Sequence, residues 1–202
     1  MEPAKLQFSA HEMMLVSNAE WILTKNEILN RVGLLMGELN RVQKSIIKEL
    51  PVSLPPEILA TTAKISRGEN YKGLPYLVLD YPRLFTRNNI FATRSLFWWG
   101  KTLSTTLHLS GQWQQFFAER ILANNQYLAQ NGFVIATGED EWVHDATGVG
   151  YTPAEQLSEA ELQDMLAMRP FFKLALFTTV DELNNGVEIW KEQFEKIMRL
   201  LG

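Results

Sequence analysis

The chain's best material for chemistry lies between residues 90 and 110, where an imidazole, several hydroxyls and several aromatics recur in alternation. Residues 90–99 and 102–110 read as two strands of a hairpin turned at Gly100-Lys101. Glycine at the first central position suits a type II′ turn. In that register one face carries Thr93, Ser95, Phe97 and Trp99 beside Thr102, Ser104, Thr106 and His108. Aromatics on one strand would then meet hydroxyls and a histidine on the other, the makeup of a small-molecule pocket. The opposite face, with Ala92, Arg94, Leu96 and Trp98 beside Leu103, Thr105, Leu107 and Leu109, is expected in the core. A slip of one residue would reassign every one of these side chains.

His108 is the candidate general base, because an imidazole titrates near ~6.5. Ser104 lies four residues away on the same strand face, about 13 Å by strand rise, too far to be its direct partner. Thr106 is closer but is a rare nucleophile. Asp80, on the preceding strand, and Arg94 would supply the polar end of such a pocket. The ligand-binding candidates are therefore Phe97, Trp99, Ser104, Thr106, His108, Arg94 and Asp80. The competing reading is a half-solvated strand face carrying a structural histidine.

Three other groupings hold residues that could do chemistry. Residues 139–145, EDEWVHD, hold hard oxygen ligands and one imidazole. Their spacing matches neither the calcium-loop pattern nor H-E-x-x-H, so a solvated acidic turn is the simpler expectation. Residues 67–73, RGENYKG, together with Arg83, Arg87 and Arg94, could line a cleft for an anion through charge-assisted hydrogen bonds. Scattered surface arginines are the alternative. Residues 147–153, TGVGYTP, contain G-x-G without the strand–turn–helix fingerprint, and the sequence has no P-loop and no G-x-S-x-G elbow. No catalytic residue, metal site or cofactor is expected.

Composition narrows the setting. The 202 residues are 46% hydrophobic and 21% charged, which suits a globular chain able to bury a core without a metal or a crosslink. There is no cysteine, so disulfides and thiolate chemistry are excluded. No secretory h-region and no run near the ~20 apolar residues of a membrane span is present, so a cytoplasmic location with no membrane partner is expected. The net charge of −4 is uneven: residues 51–110 sum to +4 and residues 111–202 to −8. The arginines of the middle are too scattered for a nucleic-acid stripe, so no nucleic acid partner is expected.

The elements that must position these residues follow from periodicity. Residues 9–50 read as helix, opened by a Ser9/Glu12 capping box and stopped at Pro51. Leu29, Val32, Met36, Leu39 and Ile46 make one apolar stripe, and Trp21, Ile28, Leu35 and Val42 an adjacent one. An unbroken helix of that length would outrun a compact domain, so a break near Ser17-Asn18 or an overhanging end is expected. Residues 51–56 read as a rigid linker, 57–66 as a short helix and 67–73 as a loop. Residues 74–81 read as a strand and 83–89 as a connection. Residues 111–130 read as a helix capped by Ser110, and 133–137 as a short strand. A second capping box, Ser158/Glu161, opens a helix to about Met168. Residues 171–179 read as the last strand, followed by a helix to Leu201 capped by Asp181 or Thr179. Its stripe of Leu183, Val187, Trp190, Phe194, Ile197 and Leu201 would pack on the first helix at a shallow crossing.

The expectation is one α+β domain, with a mostly antiparallel sheet of four to six strands against a long N-terminal and a C-terminal helix. Its wide apolar helix face and its lack of a catalytic motif point to binding or self-association, with a homodimer through the N-terminal helix. The alternative is a ligand-binding protein or enzyme with a pocket on the 91–108 hairpin face.

Overall fold

The computed structural model describes residues 7–49 and 54–202. Its centre is one antiparallel sheet of seven strands: β1 (Lys64–Tyr71), β2 (Leu74–Phe85), β3 (Ile90–Trp98), β4 (Thr102–Ser110), β5 (Val134–Ala136), β6 (Tyr151–Pro153) and β7 (Phe171–Thr179). They lie in the order β1-β2-β3-β4-β7-β5-β6. The α+β class is as expected, with one strand beyond the upper expectation.

The unexpected strands come from segments read as helix and loop. The helix predicted over 57–66 shrinks to α3 (Pro56–Leu59), and Lys64–Tyr71 pairs with β2 along the sheet edge. Such a polar stretch carries little apolar alternation, so its pairing is set by its neighbour. Gly68 stands opposite Tyr76, whose ring fills the space a Cβ would occupy, 2.3 Å from its nearest atom. β2 runs four residues past its predicted end. A bulge between Asp80 and Arg83 sets Tyr81-Pro82 against Thr93 alone, a place where proline's missing N–H is tolerated.

From α2 onward the helices bury apolar residues on one face of the sheet. α1 (Ala10–Ser17) opens with the Ser9/Glu12 capping box and ends at Asn18, where the backbone is extended. The Asn18 side chain accepts the Glu20 N–H at 3.0 Å, so one residue stops α1 and starts α2 (Ala19–Glu49). The predicted stop at Pro51 and most of the linker that follows lie outside the described residues. Leu29, Val32, Met36 and Leu39 of α2 pack with Leu77, Leu79, Phe97, Leu103 and Trp190. A second cluster joins α4 (Gln112–Ala123), α5 (Asn125–Gln130) and α6 (Glu159–Met168) to Phe91, Leu107, Leu109, Phe172 and Leu174. α7 (Gly186–Leu200) bridges the two clusters through Trp190, Phe194 and Ile197. The expected cap at Thr179 or Asp181 is replaced by a 3₁₀ turn over Val180–Asn185. Ser110 ends β4 instead of capping α4; the Gln112 N–H is taken by Asn89 Oδ1 at 2.8 Å.

The hairpin register differs from the expected one by a residue. Phe97 pairs with Leu103 and Arg94 with Thr106, because the loop is Trp99-Gly100-Lys101 and not two residues. The Lys101 N–H closes the turn on the Trp98 carbonyl at 3.1 Å. Gly100 sits there at φ +64°, the position where a type II turn requires glycine. The shift corrects both face assignments. Thr93, Ser95 and Phe97 join Leu103, Thr105, Leu107 and Leu109 under the helices. Arg94, Leu96 and Trp98 join Thr102, Ser104, Thr106 and His108 on the other face. This register sets Phe91 and Phe97 with Leu103, Leu107 and Leu109 on the helical side, and leaves Leu96 and Trp98 to pack with Val78 on the other. It also sets Ser95 directly opposite Thr105, where each meets a helical glutamine: Gln43 Nε2 donates to Ser95 Oγ at 3.4 Å, and Thr105 Oγ1 donates to Gln193 Oε1 at 2.9 Å.

Candidate functional site

Among the described residues no helix lies on the outer face of the sheet, yet Thr106, His108 and Lys173 are buried there. Residues 137–150 cover them. This loop leaves β5 and returns at its own neck, where the Thr137 and Gly138 N–H groups donate to the Gly150 carbonyl at 2.7 and 3.1 Å. The β1–β2 turn holds its far side: the Tyr71 hydroxyl accepts the His144 N–H at 2.7 Å, and Lys72 Nζ lies 2.8 Å from Asp145 Oδ2. Tyr151 Oη donates to the Val143 carbonyl at 2.9 Å.

Under the loop the polar candidates of β2, β3 and β4 meet two residues the sequence reading left out of the set. Bidentate pairing ties Arg94 to Asp80, with Nε–Oδ1 at 2.7 Å and Nη2–Oδ2 at 2.9 Å. The remaining Arg94 nitrogen, Nη1, donates to His144 Nε2 at 2.8 Å. Lys173 Nζ lies 3.1 Å from His144 Nδ1, 2.9 Å from the Glu141 carbonyl and 2.6 Å from the Val143 carbonyl. His108 stacks edge-on against Trp142 and Phe171. Its Nε2 is 3.0 Å from Glu141 Oε2, but the carboxylate lies out of line with the ring N–H, and no aligned hydrogen bond forms.

Burial dominates the electrostatics. Loss of hydration, then the charges of Lys173 and Arg94, holds His108 down to about 3 and His144 down to about 2. Burial, reinforced by Arg94, pushes Lys173 down to about 7. Both histidines are therefore neutral at pH 7.

Of the seven candidates, Asp80, Arg94, Ser104, Thr106 and His108 lie on this outer face. Phe97 and Trp99 do not: they lie on the helix-covered face in edge-to-face contact with each other, 6.2 Å between centroids. The aromatic floor therefore does not form, because the one-residue register shift turned it inward. The space left between Arg94, Thr106, His108, Trp142, His144 and Lys173 is about 10 Å³, room for about one water molecule. Both nitrogens of His144 are engaged by Arg94 and Lys173, so the imidazole of residues 139–145 has no lone pair to offer a cation. No cluster of three metal-ligating side chains exists among the described residues. Nor do the arginines converge: Arg67 pairs with Glu69, Arg83 donates to the Thr62 carbonyl, and Arg94 holds Asp80.

Lys173 had a signal in the sequence, a lone cation inside the apolar run FFKLALF. A buried strand tolerates such a residue only if every proton on it is satisfied. No helix among the described residues is long and apolar enough to cross a membrane. No protein-family model, no curated protein and no solved structure matches the chain.

Proposed function

We propose that the protein acts by association, not catalysis, and that its binding element is the arm formed by α1 and the start of α2. One observation carries this reading. α1 buries none of its residues against the body, yet Phe8, Met13, Met14, Leu15, Val16, Trp21, Ile22 and Leu23 are all exposed. Met13 to Val16 are consecutive, so apolar side chains point in every direction around the helix. Each large side chain left in water forgoes about 1.5–3 kcal/mol of burial, and a contiguous apolar surface of this kind marks an interaction site.

The occupant we favour is a second copy. Further along α2, a groove of about 460 Å³ is lined by Ile28, Arg31, Val32, Leu34, Leu35 and Leu183. A two-fold axis beside Leu23 lays α1 of each copy along residues 28–35 of the other. That is an isologous contact in which each arm fills its partner's groove. Charge supports the pairing, since Glu12 and Glu20 are the arm's charged residues and Arg31 lines the groove. It disfavours an anionic membrane surface, which basic amphipathic helices prefer.

Replacing Val16 and Leu23 by glutamate tests this. Neither side chain is buried in the protomer, so the melting temperature of the monomer should not fall. Light scattering at micromolar concentration should give a dimer for the native chain and a monomer for the double variant. A native chain that stays monomeric at high micromolar concentration would sink the reading. The rival reading, a ligand pocket on the outer sheet face, is favoured by the perturbed histidines and lysine. It is opposed by a space no larger than one water.

A further inference from the structure

Counting donors and lone pairs around His144 fixes the protonation of its neighbours. Arg94 is always a donor, so the His144 Nε2 it contacts must present the lone pair. A neutral imidazole has only one lone pair, and its other nitrogen, Nδ1, must carry the proton. That N–H points at Lys173 Nζ, 3.1 Å away. An ammonium has three donors and no acceptor, so it cannot receive that proton. A neutral amine can. It has two N–H groups, which match the Glu141 and Val143 carbonyls at 2.9 and 2.6 Å, and one lone pair, which matches His144. Every hydrogen-bonding valence of Lys173 is then used once.

We infer that Lys173 is held as a neutral amine and that the chain Asp80–Arg94–His144–Lys173 is a proton-sensitive latch clamping residues 137–150 over the sheet. If Lys173 takes up a proton, it and Arg94 become two obligate donors competing for one lone pair on His144. One contact must break. Protonation of His144 breaks the same chain at its other end, since Nε2 then carries a proton that faces the Arg94 guanidinium. Either event costs the His144 ring one of its two contacts, and the loop lifts from Arg94, Thr106 and His108.

The other charges facing the latch come from every element around it. Asp80 on β2 neutralises Arg94 on β3. His108 on β4 and Glu141 in the loop lie on the opposite side. Asp140 and Glu141 favour the ammonium form of Lys173, while burial and Arg94 oppose it more strongly. Lys72 and Asp145 form a second tie at the β1–β2 turn. That tie does not depend on Lys173, so it keeps the lifted loop tethered.

Two measurements on the full chain decide the matter. The first is the titration of ¹³Cε-labelled lysines by NMR, with Lys173→Met to assign the resonance. The second is hydrogen exchange of the 137–150 peptide, expressed as protection factors from pH 5 to pH 9. Lys173 should titrate in the neutral range, and loop protection should fall at least tenfold through the same pH interval while β3 and β4 stay protected. A Lys173 that titrates near the ordinary 10.5 would overturn the neutral amine. Loop protection that ignores pH would overturn the latch. Should Lys173→Met fail to fold, the single lysine resonance that moves in the neutral range, set against protection in the unmodified chain, still decides both points.

Discussion

Lys173 and His144 together give the stability of the fold a pH dependence of known sign. His108 and His144 are neutral in the native state well below the ~6.5 at which a histidine titrates in an unfolded chain. As pH falls from 6.5 toward 3, the unfolded state binds protons that the native state refuses, and stability is lost. The slope is about 1.4 kcal/mol per pH unit for each histidine. Lys173 acts in a higher window. Between about 7 and 10.5 the native amine is neutral while the unfolded one is charged, so stability rises with pH there. Urea unfolding at pH 5, 6.5 and 9 should therefore give midpoints that climb across the series. Midpoints that are flat from pH 5 to pH 6.5 would contradict neutral buried histidines. At this scale the sequence was partly legible. Asp80, Arg94 and His108 could be named as a polar set, and a lysine within FFKLALF could have been read as a buried group in need of partners. His144 could not be joined to them, because its separation of 73 positions from Tyr71 hides the contact that brings the loop over the sheet.

Among the elements, both capping boxes, the break at Asn18, the helix from Ser158 to Met168 and the last strand were readable, because each rests on local chemistry. The hairpin register was not. The glycine of 99–101 serves a two-residue or a three-residue loop equally well, and only the summed burial of both strands selects between them. Comparing faces under each register would have found it, since the observed one unites Phe91 and Phe97 with Leu103, Leu107 and Leu109. β1 was illegible for another reason: an edge strand with exposed polar residues has no periodic signal of its own. The β4–α4 junction shows how tightly one such connection is specified. Gly111 adopts φ +57°, and a Cβ there would lie 2.2 Å from the Asn88 carbonyl oxygen. Neither the conformation nor the contact can be relieved by a flexible side chain. Gly111→Ala should destabilise the fold by about 2 kcal/mol or more, since strained backbone alone costs of order 1–3 kcal/mol. An unchanged urea midpoint would show that the junction can rearrange.

For the molecule as a whole, the run of exposed apolar residues over α1 and the start of α2 stands apart from the scattered exposed ones of the body, such as Phe116, Met168 and Phe177. The helical face of the sheet is filled, residues 137–150 cover Thr106, His108 and Lys173 on the outer face, and α1 buries no residue on either. The sequence indicated a helix too long for its domain, and that followed from length alone. Which surface would receive the overhang depends on the groove between α2 and Leu183, which only the folded chain assembles. Because the chain contains no cysteine, the pairing of arm and groove can be trapped directly. Met13 on α1 and Leu34 beside the groove are both exposed, and they are separated along the helices by about 30 Å at 1.5 Å per residue. A disulfide between them within one copy is excluded, since its Cα atoms must come within about 7 Å. The double variant Met13→Cys/Leu34→Cys should form a covalent dimer under mild oxidation, while Met13→Cys and Leu34→Cys alone should not. Absence of a covalent dimer from the double variant, or equal crosslinking by the single variants, would contradict the arm-in-groove dimer.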